Sequence, residues 1–231
     1  TYRKCPKKFY MEKFEGQEQP PRTYTQVGID LHEIFEKAVC DRTYHPQQWR
    51  KDYESEYLPK HREANLYVDE TEEKAFNNRA EACFETFEEV LPSIPTPFMT
   101  EVTIFFEVDP KLPKVRFTMD LVTENEDGGL DLHDWKTGKE LVGKQLAEDL
   151  QAPIYIYGVE KETGRRVDSF TFYYLKDKKI RKFVRVDDNT FVCTVGKREY
   201  FIRFTEMISK IQNIFSRMVK GDFNVPNQTK G

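Results

Sequence analysis

The stretch DLHDWKTG, residues 131–138, decides how the rest of the sequence is interpreted. It ends a strand-like run that begins at Leu130, and successive side chains of a strand point to opposite faces. Asp134 and Lys136 are therefore expected on one face, whereas His133 is expected on the other. A carboxylate and an ammonium on the same face can hold a metal ion with a negatively charged oxygen beside it.

A second acid, Asp120, lies on the preceding predicted strand, residues 115–122. Alternation predicts that the apolar side chains of this strand share one face and that Asp120 and Val122 lie on the other. The expected apolar face consists of Val115, Phe117, Met119 and Leu121.

The residues between these two strands predict a hairpin. Asp-Gly-Gly at 127–129 is typical of a turn. If Asp120 faces Asp134 directly, the turn centres on Asp127 and the two β-carbons lie roughly 5 Å apart. Such carboxylates repel each other unless a cation lies between them, and Mg²⁺ and Mn²⁺ favour oxygen ligands. Lys136 beside that metal would neutralise charge on a phosphate, so the hairpin predicts phosphodiester cleavage.

Hydrophobic spacing elsewhere predicts an α/β protein. Helices are expected at residues 25–40, 70–91 and 198–220, and another near Asp149 would place Pro153 in its first turn. A short helix or helix-turn is expected over residues 1–14, and short helices mixed with loops over residues 41–65. Further strands are expected at 101–109, 130–136, 167–176 and 180–195.

Composition limits the class of protein. The chain has 231 residues, of which 38% are hydrophobic and 33% charged, with 18 Phe and 12 Tyr, which argues against disorder. No apolar run approaches the roughly 20 residues that cross a bilayer, so no membrane association is expected. The net charge of −4 counts mildly against a non-specific nucleic-acid binder, although segments 1–13 and 176–185 are basic. Four scattered cysteines without a CxxC pair suit a reducing cytoplasm.

The motifs occur in a specific order along the chain. Asp120 is followed after thirteen residues by Asp134-x-Lys136-Thr137-Gly138, and an acid, Glu101, stands on the strand before. Upstream are Gly28-x-x-x-His32 and, at residues 5–10, CPKKFY; downstream is Gln151-x-x-x-Tyr155. Together they resemble the RecB-like branch of the PD-(D/E)xK nuclease superfamily, which includes the AddB and CRISPR adaptation nucleases.

The resemblance implies a role for each matching residue. Metal ligation is implied for His32, Asp120 and Asp134, with the backbone carbonyl of Trp135 and the side chain of Glu101 as further candidates. Lys136 is implied as the catalytic lysine. Gln151 and Tyr155, one helical turn apart, would orient that lysine or contact DNA. The implied cofactor is Mg²⁺ or Mn²⁺.

The resemblance also implies a fold and a function. We expect a restriction-endonuclease-like core, with a central mixed β-sheet flanked by helices, in one domain over residues 1–231 that is compatible with being a fragment of a longer protein. The expected activity is metal-dependent hydrolysis of DNA, as an exonuclease on single-stranded or duplex ends in recombination, repair or phage DNA metabolism. Helicase or recombination proteins are the expected partners. The alternatives are a catalytically silent DNA-binding or assembly module, and a nuclease for RNA or branched DNA.

Structural roles compete with these assignments. His32 could be a helix histidine without a functional role, and Glu101 could be an acid at the solvent-exposed end of a strand. Gln151 and Tyr155 could pack against neighbouring side chains. Asp120 and Asp134 could form salt bridges with Arg116 or Lys136. The basic run 176–185 could be a solvated hairpin, and no convincing partner is predicted for His45, His61 or His133.

An iron–sulfur cluster is the remaining cofactor that the resemblance raises. Some members of the branch hold one through a cysteine before the histidine motif and three near the C-terminus. Cys5 fits the first position, but only Cys193 follows residue 157. This chain alone is therefore not expected to support a cluster.

Overall fold

The structure is a computed structural model that describes residues 22–107, 110–111 and 114–222, together with residues 7, 10, 11 and 15, and only the backbone at 144 and 147. Most of the segment predicted as a helix over 1–14, including Cys5, and the end of the strand predicted over 101–109 lie outside the described residues. Among the described residues, no helix combines the length and apolar character needed to cross a membrane.

The first part of the described chain forms a helical layer. Helix α1 is Thr23–Cys40 and helix α4 is Glu70–Val90, which confirms the helices predicted from spacing. Between them lie α2 (Pro46–Asp52), a π-helical turn (Tyr53–Tyr57) and α3 (Leu58–Glu63). Helix α4 begins where Asp69 accepts a hydrogen bond from the Glu72 N–H, 2.8 Å long, which satisfies an otherwise unpaired donor.

A seven-stranded mixed sheet follows, and its strands lie side by side in chain order. Only the β3–β4 pair is parallel among these strands, and its crossover contains the short helix α5 (Lys144–Ala147) and helix α6 (Gln151–Thr163). Asp149 accepts the Gln151 N–H, so α6 begins as expected and holds Pro153 in its first turn. The strands are β1 (Pro97–Phe106), β2 (Val115–Glu124), β3 (Leu130–Lys136), β4 (Val167–Tyr174), β5 (Lys179–Arg185), β6 (Thr190–Val195) and β7 (Arg198–Arg203).

Two sequence predictions for the C-terminal half were wrong. Residues 180–195 form two strands, β5 and β6, because the chain turns back at residues 186–189. Residues 198–203 form strand β7 rather than the start of a helix, since they pair with β6. The final helix, α7, is Phe204–Val219 and packs its Phe204, Met207 and Ile211 into the core.

The sheet separates two apolar clusters. One lies between the sheet and helices α1 to α4 and includes Phe35, Phe87 and Trp135. The other lies on the opposite face, against α6 and α7, and includes Phe170 and Phe172. The mixed sheet flanked by helices is the α/β, restriction-endonuclease-like architecture that was predicted.

Candidate functional site

The hairpin of β2 and β3 has the predicted register. Leu121 pairs with His133 and Val122 pairs with Leu132, so continuing this register by one residue brings Asp120 opposite Asp134. Asp127 lies in the turn, closed by a hydrogen bond of 3.0 Å from the Asn125 N–H to the Gly129 carbonyl.

The predicted alternation of strand β2 was wrong at Leu121 and Val122. Phe117 and Met119 pack toward α6, as a shared face requires, but Leu121 packs into the cluster of α1 and α4. Val122 then returns to the α6 side. The alternation is therefore interrupted at Asp120, which shifts the following residues by one face.

Strand β1 is interrupted opposite the same point. Val102 pairs with Met119 and Thr100 pairs with Leu121, so Glu101 lies across from Asp120 in the sheet. Glu101 has a φ of 45°, in the left-handed region that a residue other than glycine rarely adopts. Such local strain is found most often at functional sites.

The interruption brings two acids to a histidine from helix α1. Candidate ligand atoms of His32, Glu101 and Asp120 all lie within 4.8 Å of one another. His32 Nδ1 lies 3.3 Å from Asp120 Oδ1, while Asp120 Oδ2 accepts the Trp135 N–H at 2.7 Å. Asp120 therefore pairs with His32 rather than with Arg116, and the Trp135 N–H fixes its orientation.

Asp134 and Lys136 share a face of β3, and helix α6 lies against that face. Lys136 Nζ forms an ion pair with Asp134 Oδ2 and donates to Gln151 Oε1 at 2.8 Å. Gln151 Nε2 donates to Asp134 Oδ1 at 3.0 Å and to the Tyr155 hydroxyl at 2.8 Å. Gln151 and Tyr155 thus orient the acid and the lysine, and the Tyr155 ring also packs on Phe117 at 4.5 Å.

Electrostatics at this site oppose full ionisation of its acids. Burial, followed by repulsion from Asp120, raises the pKa of Glu101 to about 7. Burial also raises the pKa of Asp134, although Lys136 partly offsets it. Burial disfavours the charged form of His32, but attraction to Asp120 outweighs it and the pKa of His32 is raised. Buried carboxylates that repel each other are stabilised by a cation.

The donor set fits a divalent metal ion. Carboxylates suit both Mg²⁺ and Mn²⁺, whereas an imidazole ligand favours Mn²⁺, which is a transition metal. Asp134 Oδ2 is buried, and the Lys136 ammonium is its ion-pair partner. A carboxylate oxygen has more than one lone pair, so it could also bind a metal ion or a metal-bound water.

The other predicted polar residues have mainly structural contacts. His133 faces away from the site, as predicted, and is bonded to Thr123 Oγ1 and the Tyr173 hydroxyl, so the expectation that it lacks a partner was wrong. The same expectation was wrong for His61, whose Nε2 lies 2.5 Å from Asp30 Oδ2 and whose Nδ1 contacts the Tyr67 hydroxyl.

The basic run 176–185 is largely paired with acids. Arg181 contacts Glu140, Arg185 contacts Glu160, and Lys178 lies near Glu85 and Glu89. The charge left for a polyanion is therefore smaller than the sequence indicates.

Two residues at the site, Arg79 and Tyr24, are not predicted by any motif in the sequence. Arg79 of α4 donates from Nε and Nη2 to the carbonyl of Thr137, which follows Lys136. Its guanidinium lies 4.1 Å from the centre of the Tyr24 ring on α1. The available signal was slight, since Arg79 is simply the one arginine of an acidic helix.

The described cysteines lie in three different surroundings. Cys83 and Cys193 are buried in opposite apolar clusters, and Cys40 is exposed at the end of α1. Cys5 lies outside the described residues.

A mixed sheet that brings a histidine, three carboxylates and a lysine together is the arrangement of a metal-dependent nuclease. The sequence agrees with this class, because the model of the PD-(D/E)XK nuclease superfamily matches residues 1–230. The chain therefore belongs to that superfamily. No curated protein matches it. A solved structure titled "Crystal structure of SSO0001" is similar at 16% identity and a TM-score of 0.35, over 84% of this chain and 85% of that one.

Proposed function

We propose that the chain is a RecB-like nuclease that hydrolyses DNA with Mg²⁺ or Mn²⁺, as an exonuclease in recombination, repair or phage DNA metabolism. The observation that carries the proposal is the convergence of His32, Glu101 and Asp120 beside the Asp134–Lys136 pair. Superfamily membership supports a metal-dependent nuclease, and the motif order along the chain favours the RecB-like branch.

Each site residue receives a role under this proposal. His32, Glu101, Asp120 and Asp134 would hold the metal, with the Trp135 carbonyl as a further ligand. The metal would activate water and polarise the phosphate. Lys136, held by Asp134 and Gln151, would neutralise charge on the phosphate oxygens.

Gln151 and Tyr155 would act as positioning residues. Gln151 contacts both Lys136 and Asp134, so it fixes the lysine relative to the acid. Tyr155 receives one hydrogen bond from Gln151 and is held by packing on Phe117. Loss of either would misplace the ammonium rather than remove it.

We also propose that residues 1–231 form one nuclease domain that acts in the cytoplasm with helicase or recombination partners. Scattered cysteines support the location. The superfamily match over nearly the whole chain supports the single domain.

The test is cleavage of labelled DNA with Mn²⁺ or Mg²⁺. Linear single strands, linear duplexes, closed circles and a matching RNA are compared, because an exonuclease requires an end and leaves closed circles intact. Lys136→Ala is expected to lower the rate by at least about 10²-fold. Lys182→Ala, which removes an exposed lysine from β5, is the matched control and should retain full activity.

Three results would contradict the proposal. Equal rates for the wild type and Lys136→Ala would remove the assigned site. No metal-dependent cleavage of any substrate, with intact metal-independent DNA binding, would favour the catalytically silent module. Preferential cleavage of RNA would overturn the choice of DNA.

A further inference from the structure

A cleft of about 600 Å³ opens beside the candidate metal group and shares His32 and Glu101 with it. Its size lies in the range of pockets that hold small organic groups. The aromatic ring of Tyr24 and the side chain of Ile29, both from α1, line it and are about half exposed. An exposed aromatic ring next to a reacting centre is available for stacking.

The Tyr24 ring is held in a fixed position. The Arg79 guanidinium lies over it and is itself anchored to the Thr137 carbonyl. The Tyr24 hydroxyl packs on Gly138, since a β-carbon at 138 would lie 2.1 Å from the hydroxyl oxygen. A ring that is already ordered loses little conformational entropy when a second planar group stacks on it.

The charges around the cleft select which part of a nucleotide can enter. Glu33 and Glu36, which are not among the candidate metal ligands, line it and would repel a phosphate. A nucleobase is neutral, presents a π-face to a tyrosine ring, and can donate amino hydrogen atoms to carboxylates. The phosphate is better placed toward Lys136, on the strand that ends at the cleft.

We propose that the Tyr24 cleft binds an unpaired nucleobase next to the scissile phosphate, so that the substrate is a single strand or a frayed end. Duplex bases are paired and stacked on their neighbours, which leaves no face for Tyr24. This inference rests on the proposed nuclease function and adds the strand preference to it.

The test combines base removal in the substrate with removal of the ring in the protein. Binding of fluorescein-labelled single-stranded oligonucleotides is measured by polarisation with Mn²⁺, in the full chain carrying Lys136→Ala to prevent cleavage. One abasic residue is moved along the strand from one oligonucleotide to the next. An abasic residue at one position of the oligonucleotide is expected to weaken binding by about tenfold. With the intact oligonucleotide, the protein that carries Tyr24→Ala as well as Lys136→Ala should lose a similar factor in affinity. In that protein, an abasic residue at the same position should cause no further loss.

Control variants separate stacking from misfolding. Tyr24→Trp should restore affinity and the dependence on the abasic position. Phe105→Ala removes another exposed ring beside an arginine, but one from outside the cleft, and should change nothing. Abasic scanning of a protein with the natural Tyr24 tests the same idea without any substitution in the cleft.

The outcomes for this inference and for the nuclease function are distinct. If the abasic residue leaves the affinity unchanged at every position while the wild-type protein still cleaves with metal, the base-binding cleft is overturned but the nuclease function is not. Faster cleavage of blunt duplex than of single strands would also overturn it. Absence of metal-dependent cleavage of every substrate would instead overturn the nuclease function.

Discussion

Two groups of acid and histidine side chains, one buried and one partly buried, begin two residues apart on helix α1, and they differ in how well their charges are satisfied. In the first, which we call the Asp30 network, His61 bridges Asp30 Oδ2 and the Tyr67 hydroxyl, while Gln26 donates to Asp30 Oδ1. In the second, which we call the His32 site, Glu101, Asp120 and Asp134 lie close together with raised pKa values for Glu101 and Asp134.

The Asp30 network and the His32 site are expected to differ in whether they contribute to stability or to function. A buried polar network whose donors and acceptors are all paired holds its helices in one arrangement. A cluster of buried carboxylates destabilises the protein until a cation is bound, and proteins retain such clusters mainly where they act. The Asp30 network is therefore expected to stabilise the fold, and we propose that the His32 site is maintained for metal binding and catalysis.

The largest expected effect is on activity at the His32 site. Asp134→Asn should lower the cleavage rate by about 10³-fold, because the metal and Lys136 both lose a charged partner. The free energy of unfolding should change by less than about 1 kcal/mol, since the substitution also removes a costly buried charge. Cleavage rates and urea denaturation measure the two effects. A large loss of stability with normal activity would reverse the roles assigned to the two groups.

The Asp30 network should show the opposite response. His61→Ala should lower the free energy of unfolding by about 3 kcal/mol, because it leaves a buried carboxylate without its partner. The cleavage rate of the protein that remains folded should stay within about threefold of the wild type. His45→Ala, an exposed histidine, is the control for denaturation. A loss of activity in His61→Ala that exceeds its unfolded fraction would show that the two groups are not independent.

Metal binding should stabilise variants of the Asp30 network but not variants of the His32 site. Mn²⁺ at 100 times its Kd should raise the free energy of unfolding by about 2.7 kcal/mol, because it binds the folded chain. Asp120→Asn should abolish most of this increment. Asp30→Asn should keep it despite a lower starting stability, and thermal denaturation with and without Mn²⁺ measures both. Equal increments in the two variants would place the metal elsewhere.

The smallest expected effect is a pH dependence from Glu101. Its pKa of about 7 in the folded protein exceeds the ordinary 4.5, so the folded state binds that proton more tightly. The resulting stability is complete below pH 4.5 and is lost as pH rises through 7. It amounts to roughly 1 kcal/mol after allowance for partial exposure.

Glu101→Gln isolates this effect from the rest of the protein. The metal-free variant should lose less stability than the wild type between pH 5 and 8. Glu107→Gln, at an exposed position just after β1, should behave like the wild type. Denaturation at a series of pH values in EDTA provides the measurement, and identical slopes for wild type and Glu101→Gln would contradict the assignment.

Local patterns predicted much of the fold and the motif residues of the site. Helices α1 and α4 have long apolar stripes and clear ends, and the hairpin register follows from one turn and from the pair of acids that it aligns. The parts of the fold that were not predicted depend on contacts between residues that are distant in sequence. Residues 198–203 continue the apolar spacing of α7, and only pairing of Phe201 with Val192 reveals a strand.

The same limit applies to the site itself. The interruption of alternation at Asp120 and the positive φ of Glu101 arise where β1 and β2 pair, so the sequence of either strand by itself does not predict them. Asp30 and His61 are 31 residues apart, and Arg79 and Thr137 are 58 apart. No spacing rule joins such pairs, because helix packing brings them together.

The most direct test of the central claim is a crystal structure of the wild-type chain soaked in Mn²⁺ with anomalous data. We expect one strong anomalous peak between His32, Glu101 and Asp120, about 2 Å from their ligand atoms. Asp134 should bind the same ion directly or through a water molecule. A peak at the Asp30 network, or no peak among His32, Glu101 and Asp120 at saturating Mn²⁺, would contradict this claim.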